Sequence, residues 1–220
     1  MNNELKKRIL TSIFLILLLT FMHFYSFVMI IALVVIAMII WIEFYALISK
    51  ILPKNRIKDK YLRYFFKSIS LLYLTLLVYF IFIIQSNYPN LKLYLLYTIL
   101  VAILSDIGGL IIGKTFKGKK LTKISPNKTI SGSIGSFIFS LCLIPFFYED
   151  LIVYSFLNLT LITLLISLIT QLGDLFISFL KRKAKVEDTS DILPGHGGFL
   201  DRVDGIIFAI PIGILLFGIF

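Results

Sequence analysis

Apolar windows recur along most of the chain, and they limit what it can fold into more than any other feature of the sequence. They lie at about 9–23, 27–49, 68–86, 92–112, 130–148, 151–180 and 206–220. Hydrophobic residues make up 59% of the 220 positions, which is outside the usual range for soluble domains. The pattern predicts an all-α fold, a polytopic membrane helix bundle with about seven transmembrane helices.

The amino-terminal window resembles a signal peptide, because the basic residues Lys6, Lys7 and Arg8 precede it. No small-residue cleavage site follows at MHFYSF, so we expect the window to be retained as a membrane anchor. We find no internal repeat or flexible linker in the sequence. It therefore predicts one integral membrane domain over residues 1–220, with amino-terminal helices in 1–100 and a second half, 101–220, that carries most of the polar motifs.

Basic residues sort to one side of the predicted spans. If the amino terminus is cytoplasmic, 21 of the 22 Lys and Arg residues fall in cytoplasmic segments, and Lys92 alone falls outside. Because cytoplasmic loops retain Lys and Arg, we predict this orientation. Topology and attraction to anionic lipid head groups then explain the net charge of +10. We expect membrane lipids, and no nucleic acid, as partners.

Three carboxylates lie within the predicted spans, at Glu43, Asp106 and Asp174. An acid inside a membrane is costly unless it faces water, a cation or a partner, so each is a functional candidate. Each lies about six residues, or roughly 9 Å, before the cytoplasmic end of its helix. Four further acids lie in the last cytoplasmic loop: Asp188, Asp191, Asp201 and Asp204. We therefore predict a cavity that opens to the cytoplasm, with carboxylates in its wall.

Helical spacing around Asp174 puts five polar residues on one face: Gln171, Asp174, Ser178, Lys181 and Arg182. An acid followed by two cations along one stripe can hold a metal at its deeper end and a phosphate at its shallower end. The alternative is that Lys181 and Arg182 extend to the interface as at many helix ends, while Asp174 is paired inside the bundle.

A glycine- and lysine-rich segment, Gly113–Gly132, leads into the fifth predicted span. Its glycines let backbone amides approach an anion, and the start of the next helix, after Ser125, Lys128 and Thr129, can accept a phosphate. A plain cytoplasmic loop with a Thr cap would have a similar sequence. A P-loop is rejected, because Lys120 stands where Ser or Thr should bind Mg²⁺ and an apolar helix precedes the segment.

A second glycine-rich segment, PGHGGFLDRVD, precedes the last predicted span. Glycines surround its histidine at Gly195, Gly197 and Gly198, so the backbone can turn tightly and lie close to a ligand. His196 and Arg202 offer hydrogen-bond donors to a phosphate. Asp201 and Asp204 are three residues apart at a predicted helix start, where two carboxylates can share a hard cation such as Mg²⁺.

These motifs resemble those of the phosphatidate cytidylyltransferases, also called CDP-diacylglycerol synthases. The signature of that family runs approximately S-x-x-K-R, a short spacer, K-D, then P-G-H-G-G-x-x-D-R-x-D. It matches here at Ser178, Lys181, Arg182, Asp188, Pro194, Gly195, His196, Gly197, Gly198, Asp201, Arg202 and Asp204. Upstream features of the family match at Asp106, Gly113, Gly118, Ser125, Pro126, Lys128, Thr129, Gly173 and Asp174. The resemblance covers the chain from Asp106 onward.

The resemblance implies transfer of CMP from CTP to phosphatidate, giving CDP-diacylglycerol and pyrophosphate for phospholipid synthesis. It implies catalytic roles for Asp174, Lys181, His196, Asp201 and Arg202. It implies substrate binding by Ser125, Lys128, Thr129, Ser178, Arg182, Gly197 and Gly198. It implies Mg²⁺, with a second cation left open, at Asp174, Asp201, Asp204, Asp106 and Asp188. The expected location is the bacterial inner membrane with the active site facing the cytoplasm, and a homodimer is left open.

Three positions depart from the family pattern. Glu187 stands where Lys usually precedes the Asp, Ile177 where an acid commonly precedes Ser178, and Ser131 where Glu or Gln often precedes Gly132. Four alternatives therefore stay open: a CTP-dependent transferase for another lipid phosphate, a lipid kinase, a catalytically inactive relative, and a cation-binding membrane transporter. The transporter gives no reason for the HGGFLDR motif.

Overall fold

The computed structural model describes residues 10–219, apart from 12, 14–16, 19, 23, 53–55, 123, 124, 126, 127, 152 and 196. Eight helices with defined ends follow one another within the described part of the chain. They are α1 (Ser26–Ile51), α2 (Ile57–Asn87), α3 (Pro89–Phe116), α4 (Ile130–Leu141), α5 (Ile144–Phe147), α6 (Phe156–Ala184), α7 (Leu200–Val203) and α8 (Ile206–Ile219).

Five helical segments are long and apolar enough to cross a membrane: α1, α2, Leu91–Phe116, Ile130–Phe147 and α6. The predicted all-α fold with several membrane-spanning helices is therefore confirmed in this coarse form. α8 has 14 residues, about 21 Å of helix, against a hydrocarbon core of about 30 Å. The predicted window at 9–23 lies partly outside the described residues.

Helix boundaries differ from the predicted windows at three places. α2 begins at Ile57, well before the predicted start at 68, because neither Pro nor Gly interrupts the basic and aromatic residues that precede the apolar run. The window at 130–148 is divided between α4 and α5, where Pro145 lies in the first turn of α5. α6 begins at Phe156 rather than 151.

The described residues fall into two compact units. The first unit lies within Met1–Ile83 and Leu180–Val203, and the second within Ile84–Phe179 and Asp204–Phe220. The prediction of one membrane domain with two halves stays a prediction.

In the first unit, α1 buries Leu47 and Glu43, with exposed fractions of 1% each. α1 and α2 are joined through Lys67, whose backbone carbonyl accepts a hydrogen bond of 3.1 Å from the Trp41 indole. The Lys67 ammonium lies 5.0 Å from the ring centre of Trp41 and 4.8 Å from that of Tyr45. Such cation–π contacts stabilise a helix pair at a membrane interface.

In the second unit, α3 and α6 share an apolar core that includes Val101, Leu159 and Ile162. Two buried hydroxyl pairs also join these helices: Tyr97 with Thr163 at 2.6 Å, and Ser105 with Ser167 at 2.9 Å. Buried hydroxyls need such partners, because an unpaired polar group in an apolar interior is costly.

A glycine seam brings α3 and α4 together in the second unit. A β-carbon added at Gly135 would lie 2.4 Å from Cβ of Ile112, and one added at Gly132 would lie 2.8 Å from the carbonyl oxygen of Gly109. The two backbones therefore approach at a distance that only glycine allows.

Candidate active site

Asp174 of α6 pairs with Lys128, which lies just before α4, and this ion pair is central to the polar cluster of the second unit. The Ser178 hydroxyl, one turn later on α6, donates a hydrogen bond of 3.3 Å to Asp174 Oδ1. Asp106 of α3 interacts electrostatically with both the Asp174 carboxylate and the Lys128 ammonium. The structure thus brings together four of the predicted site residues, which we call the Asp174 cluster: Asp106, Lys128, Asp174 and Ser178.

The loop between α3 and α4 fixes the position of Lys128. Its backbone N–H donates to the Ser125 carbonyl at 3.1 Å, and its own carbonyl accepts from the Leu121 amide at 2.8 Å. Thr129 caps α4, because its side chain accepts from the Gly132 amide at 3.0 Å. The predicted cap is therefore present, and it holds Lys128 directly before the helix. Ser125 is buried within this loop.

Asp204 also belongs to the second unit, where it lies against α6. A β-carbon added at Gly173 would lie 2.8 Å from the Asp204 carbonyl oxygen, so residue 204 packs on the helical turn that carries Asp174. The Asp204 carboxylate is buried and accepts from the Gly205 amide at 2.9 Å.

Asp201 of α7 forms the second ion pair, in the first unit, where the Lys181 ammonium donates to Oδ1 at 2.6 Å. Oδ2 accepts from the Thr189 amide at 2.8 Å, the Thr189 hydroxyl at 2.9 Å and the Gly198 amide at 3.1 Å. Burial acts to raise the pKa of the Asp201 carboxyl, but the hydrogen bond from Lys181 and the amides of Thr189 and Gly198 outweigh it, so the pKa lies below its ordinary value.

Glycine is required twice in the segment that leads to α7. Gly197 has a φ of 81°, in the left-handed region, and its amide-side neighbour across an isolated bridge is Leu193, which donates to the Gly197 carbonyl at 2.9 Å. A β-carbon at Gly198 would lie 2.0 Å from the Thr189 hydroxyl oxygen. The Asp188 side chain lies beside Gly197, where an added β-carbon would be 3.1 Å from its Cγ.

Glu43 was predicted as an intramembrane acid but not as a site residue, and it lies against this same segment. Its carboxylate accepts from the Thr189 and Ser190 hydroxyls at 3.0 and 2.5 Å. It also accepts from the Phe199 and Leu200 amides at 3.1 and 2.7 Å. The signal that pointed to Glu43 was an acid within an apolar span. Its partners lie 146 to 157 positions away, so spacing could not reveal them.

The remaining predicted residues are distributed over both units. Arg182 is exposed in the last turn of α6, and Arg202 is exposed in α7. His196 and Pro126 lie outside the described residues. In the first unit the structure therefore gathers Lys181, Asp188, Gly197, Gly198 and Asp201, and in the second it gathers the Asp174 cluster with Ser125, Thr129 and Asp204.

The carboxylates of Asp106 and Asp174 fit a hard divalent cation. Mg²⁺ is usually held by one or two carboxylates together with water and substrate phosphate oxygens. Among the described residues, no group of three or more carboxylate, imidazole or thiol side chains is gathered for a metal. A donor set of two carboxylates therefore agrees with a cation that is completed by a phosphate substrate. Asp201 differs, because both of its oxygens already accept hydrogen bonds.

Spanning helices with paired acids and lysines beside glycine-rich loops define a class of membrane protein suited to binding phosphate groups. The chain belongs to the cytidylyltransferase family, whose model matches residues 1–220. The resemblance found in the motifs is thereby confirmed at the level of the family.

Relatives in three bacterial genera are named phosphatidate cytidylyltransferase. The chain is 45% identical over 122 residues to that of Staphylococcus haemolyticus, covering 54% of this chain and 46% of the relative. It is 40% identical over 129 residues to that of Bacillus subtilis, covering 58% and 48%. It is 38% identical over 160 residues to that of Rickettsia bellii, covering 69% of each. The chain thus spans about half the length of the first two relatives.

Proposed function

We propose that the chain transfers CMP from CTP to phosphatidate, giving CDP-diacylglycerol and pyrophosphate. The observation that carries this proposal is the Asp174 cluster, which places two carboxylates beside a lysine in a chain of the cytidylyltransferase family. The relatives named phosphatidate cytidylyltransferase supply the choice of substrates.

In the proposed reaction, a phosphate oxygen of phosphatidate attacks the α-phosphorus of CTP. A new phosphorus–oxygen bond forms, the bond from the α-phosphorus to the oxygen that bridges to the β-phosphorus breaks, and pyrophosphate leaves with the electron pair. Phosphatidate is already ionised, so no covalent enzyme nucleophile is needed. The site must instead reduce repulsion between two anions and hold them in line.

Asp174 and Asp106 would hold Mg²⁺, with Asp204, Asp201 and Asp188 as the other predicted ligands and a second cation left open. The cation would neutralise phosphate charge in the transition state. Lys128, Ser125, Thr129 and Ser178 lie in or beside the Asp174 cluster and would bind one substrate phosphate. Lys181, Arg182, His196 and Arg202, with the backbone at Gly197 and Gly198, would contact the phosphates of CTP or the leaving pyrophosphate.

The proposed topology has about seven spans, a cytoplasmic amino terminus and a cavity that opens to the cytoplasm, in the bacterial inner membrane. Five helices of sufficient length and the one-sided distribution of Lys and Arg support it. Membrane lipids would be partners throughout, and phosphatidate would enter between helices with its acyl chains in the bilayer. A homodimer stays open within this proposal.

Purified protein in detergent, given labelled CTP, phosphatidate and Mg²⁺, tests the activity. We expect labelled CDP-diacylglycerol and one pyrophosphate for each CTP consumed, and the Asp150→Asn variant, altered at an exposed acid, serves as the matched control. Product no greater than that of an Asp174→Asn variant would refute the proposal. Release of CDP would indicate a lipid kinase, and product formed only with another lipid phosphate would indicate a related transferase.

A further inference from the structure

Glu43 is the most deeply buried acid of the first unit, with an exposed fraction of 1%, and the proposed reaction assigns it no role. Its carboxylate lies on α1, yet the four donors described above all come from the segment 189–200. Two of those donors are backbone amides and two are hydroxyls. A buried carboxylate with donors on both oxygens is held in one orientation, and it holds its donors in turn.

The two amides belong to the start of α7. Phe199 and Leu200 supply N–H groups that a helix cannot satisfy within its own first turn. Glu43 accepts from both, at 3.1 and 2.7 Å, and thereby caps α7 from a different helix. The last glycine of the loop fits around this contact, because a β-carbon at Gly198 would lie 2.7 Å from Glu43 Oε2.

Thr189 links Glu43 to the ion pair of Lys181 and Asp201. Its hydroxyl oxygen lies 3.0 Å from Glu43 Oε2 and 2.9 Å from Asp201 Oδ2. The hydroxyl carries one proton, so it donates to one carboxylate at a time. The two acids are therefore coupled through one side chain, and a change at Glu43 reaches the carboxylate that orients Lys181.

We propose that Glu43 is a positioning residue that holds the segment 189–200, and with it the Gly197–Gly198 backbone and the Lys181–Asp201 pair, in the arrangement that receives the phosphates of CTP. Preorganised donors bind an anion without the cost of ordering a glycine-rich loop. The role in CTP binding rests on the proposed function, whereas the holding of the segment does not.

Hydrogen exchange of the full chain in detergent tests the holding of the segment. In Glu43→Gln the side-chain NH₂ replaces one acceptor and faces donors, so we expect the amides of Phe199 and Leu200 to exchange about tenfold faster or more. Ser49→Ala is the matched control on the same helix, because the Ser49 hydroxyl bonds only to the Tyr45 carbonyl at 2.7 Å among its described contacts. It should leave exchange in 189–200 unchanged.

Kinetics test the consequence for binding. Glu43→Gln should raise KM for CTP about tenfold and leave KM for phosphatidate within about twofold, a split that general destabilisation would not produce. If Glu43→Gln does not fold, Thr189→Val should raise exchange and KM for CTP in the same way, and Thr189→Ser, which keeps the hydroxyl, should restore both.

Unchanged exchange at Phe199 and Leu200 in folded Glu43→Gln and Thr189→Val would overturn the proposal, as would an equal rise in both KM values. If the wild-type chain forms no CDP-diacylglycerol, the proposed function fails, and the exchange comparison still decides whether Glu43 holds the segment.

Discussion

Asp174 and Asp201 each pair with a lysine, but their surroundings suit them to different tasks. The Asp201 side chain is 5% exposed and accepts four hydrogen bonds, so it is a structural anchor for the loop around it. The Asp174 side chain is 28% exposed, and its partner Lys128 is 24% exposed. Asp174 therefore keeps room for a substrate or a cation, which Asp201 lacks.

Replacing Asp174 by Asn should lower kcat for CDP-diacylglycerol formation by about a hundredfold or more, since one charged group that acts on the transition state is lost. Initial rates with saturating CTP and phosphatidate measure the effect. Asp150→Asn, at an exposed turn, should retain the wild-type rate. A loss of less than about threefold in Asp174→Asn would remove Asp174 from the catalytic site.

Asp201 should make the fold sensitive to acid. Its pKa in the folded state lies below the ordinary value of 3.8, so its ion pair and hydrogen bonds stabilise the fold above about pH 4 and are lost as the pH falls through the folded-state pKa. Thermal unfolding from pH 7 to pH 3 should show Asp201→Asn about 2 kcal/mol less stable at pH 7, with the difference shrinking below about pH 4. A difference that does not depend on pH would contradict this.

At the scale of helices, the seam between α3 and α4 determines where the Asp174 cluster can form. α3 carries Asp106, and Lys128 lies just before α4, so the close approach of the two helices brings the lysine beside the acid. The Ser133 hydroxyl also donates to the Gln171 side chain at 2.5 Å, which joins α4 to α6 one turn before Asp174. The site thus depends on helix packing as well as on its own side chains.

Gly135→Ala should destabilise the protein by roughly 1 to 3 kcal/mol, because the new methyl group would lie 2.4 Å from Cβ of Ile112. Denaturant unfolding in micelles, followed by tryptophan fluorescence, measures the change. Gly218→Ala is the matched control, since nothing lies within 4 Å of a β-carbon there, and it should stay within about 0.5 kcal/mol of wild type. Equal stability of the two variants would show that the seam tolerates a methyl group.

For the whole molecule, the proposed orientation leaves the loop after α3 on the cytoplasmic side and the turn after α5 outside. Single cysteines at Lys117→Cys and Glu149→Cys in a Cys142→Ser background test this, because both positions are exposed. A membrane-impermeant maleimide should label position 149 in intact spheroplasts and position 117 only in inverted vesicles. The reverse pattern would invert the topology.

The sequence predicted those features that depend on local composition and spacing. Helical spans, the Thr129 cap and the family motifs are all of this kind, and the structure and the family match confirm them. Long-range pairing was beyond spacing: Asp174 meets Lys128 from another loop rather than a cation of its own helix stripe. Likewise, nothing near Glu43 in the sequence indicates that its donors come from residues 189–200.

The contact between Glu43 and the 189–200 segment also bears on biosynthesis. Glu43 emerges from the ribosome 146 to 157 residues before its donors, which at about 5 to 20 residues per second is a delay on the order of ten seconds. During that interval α1 carries a carboxylate whose native donors have not been made, so water or lipid head groups must solvate it. The segment 189–200 can take its final form only when α1 has waited in the bilayer for it, which places completion of the first unit late in synthesis.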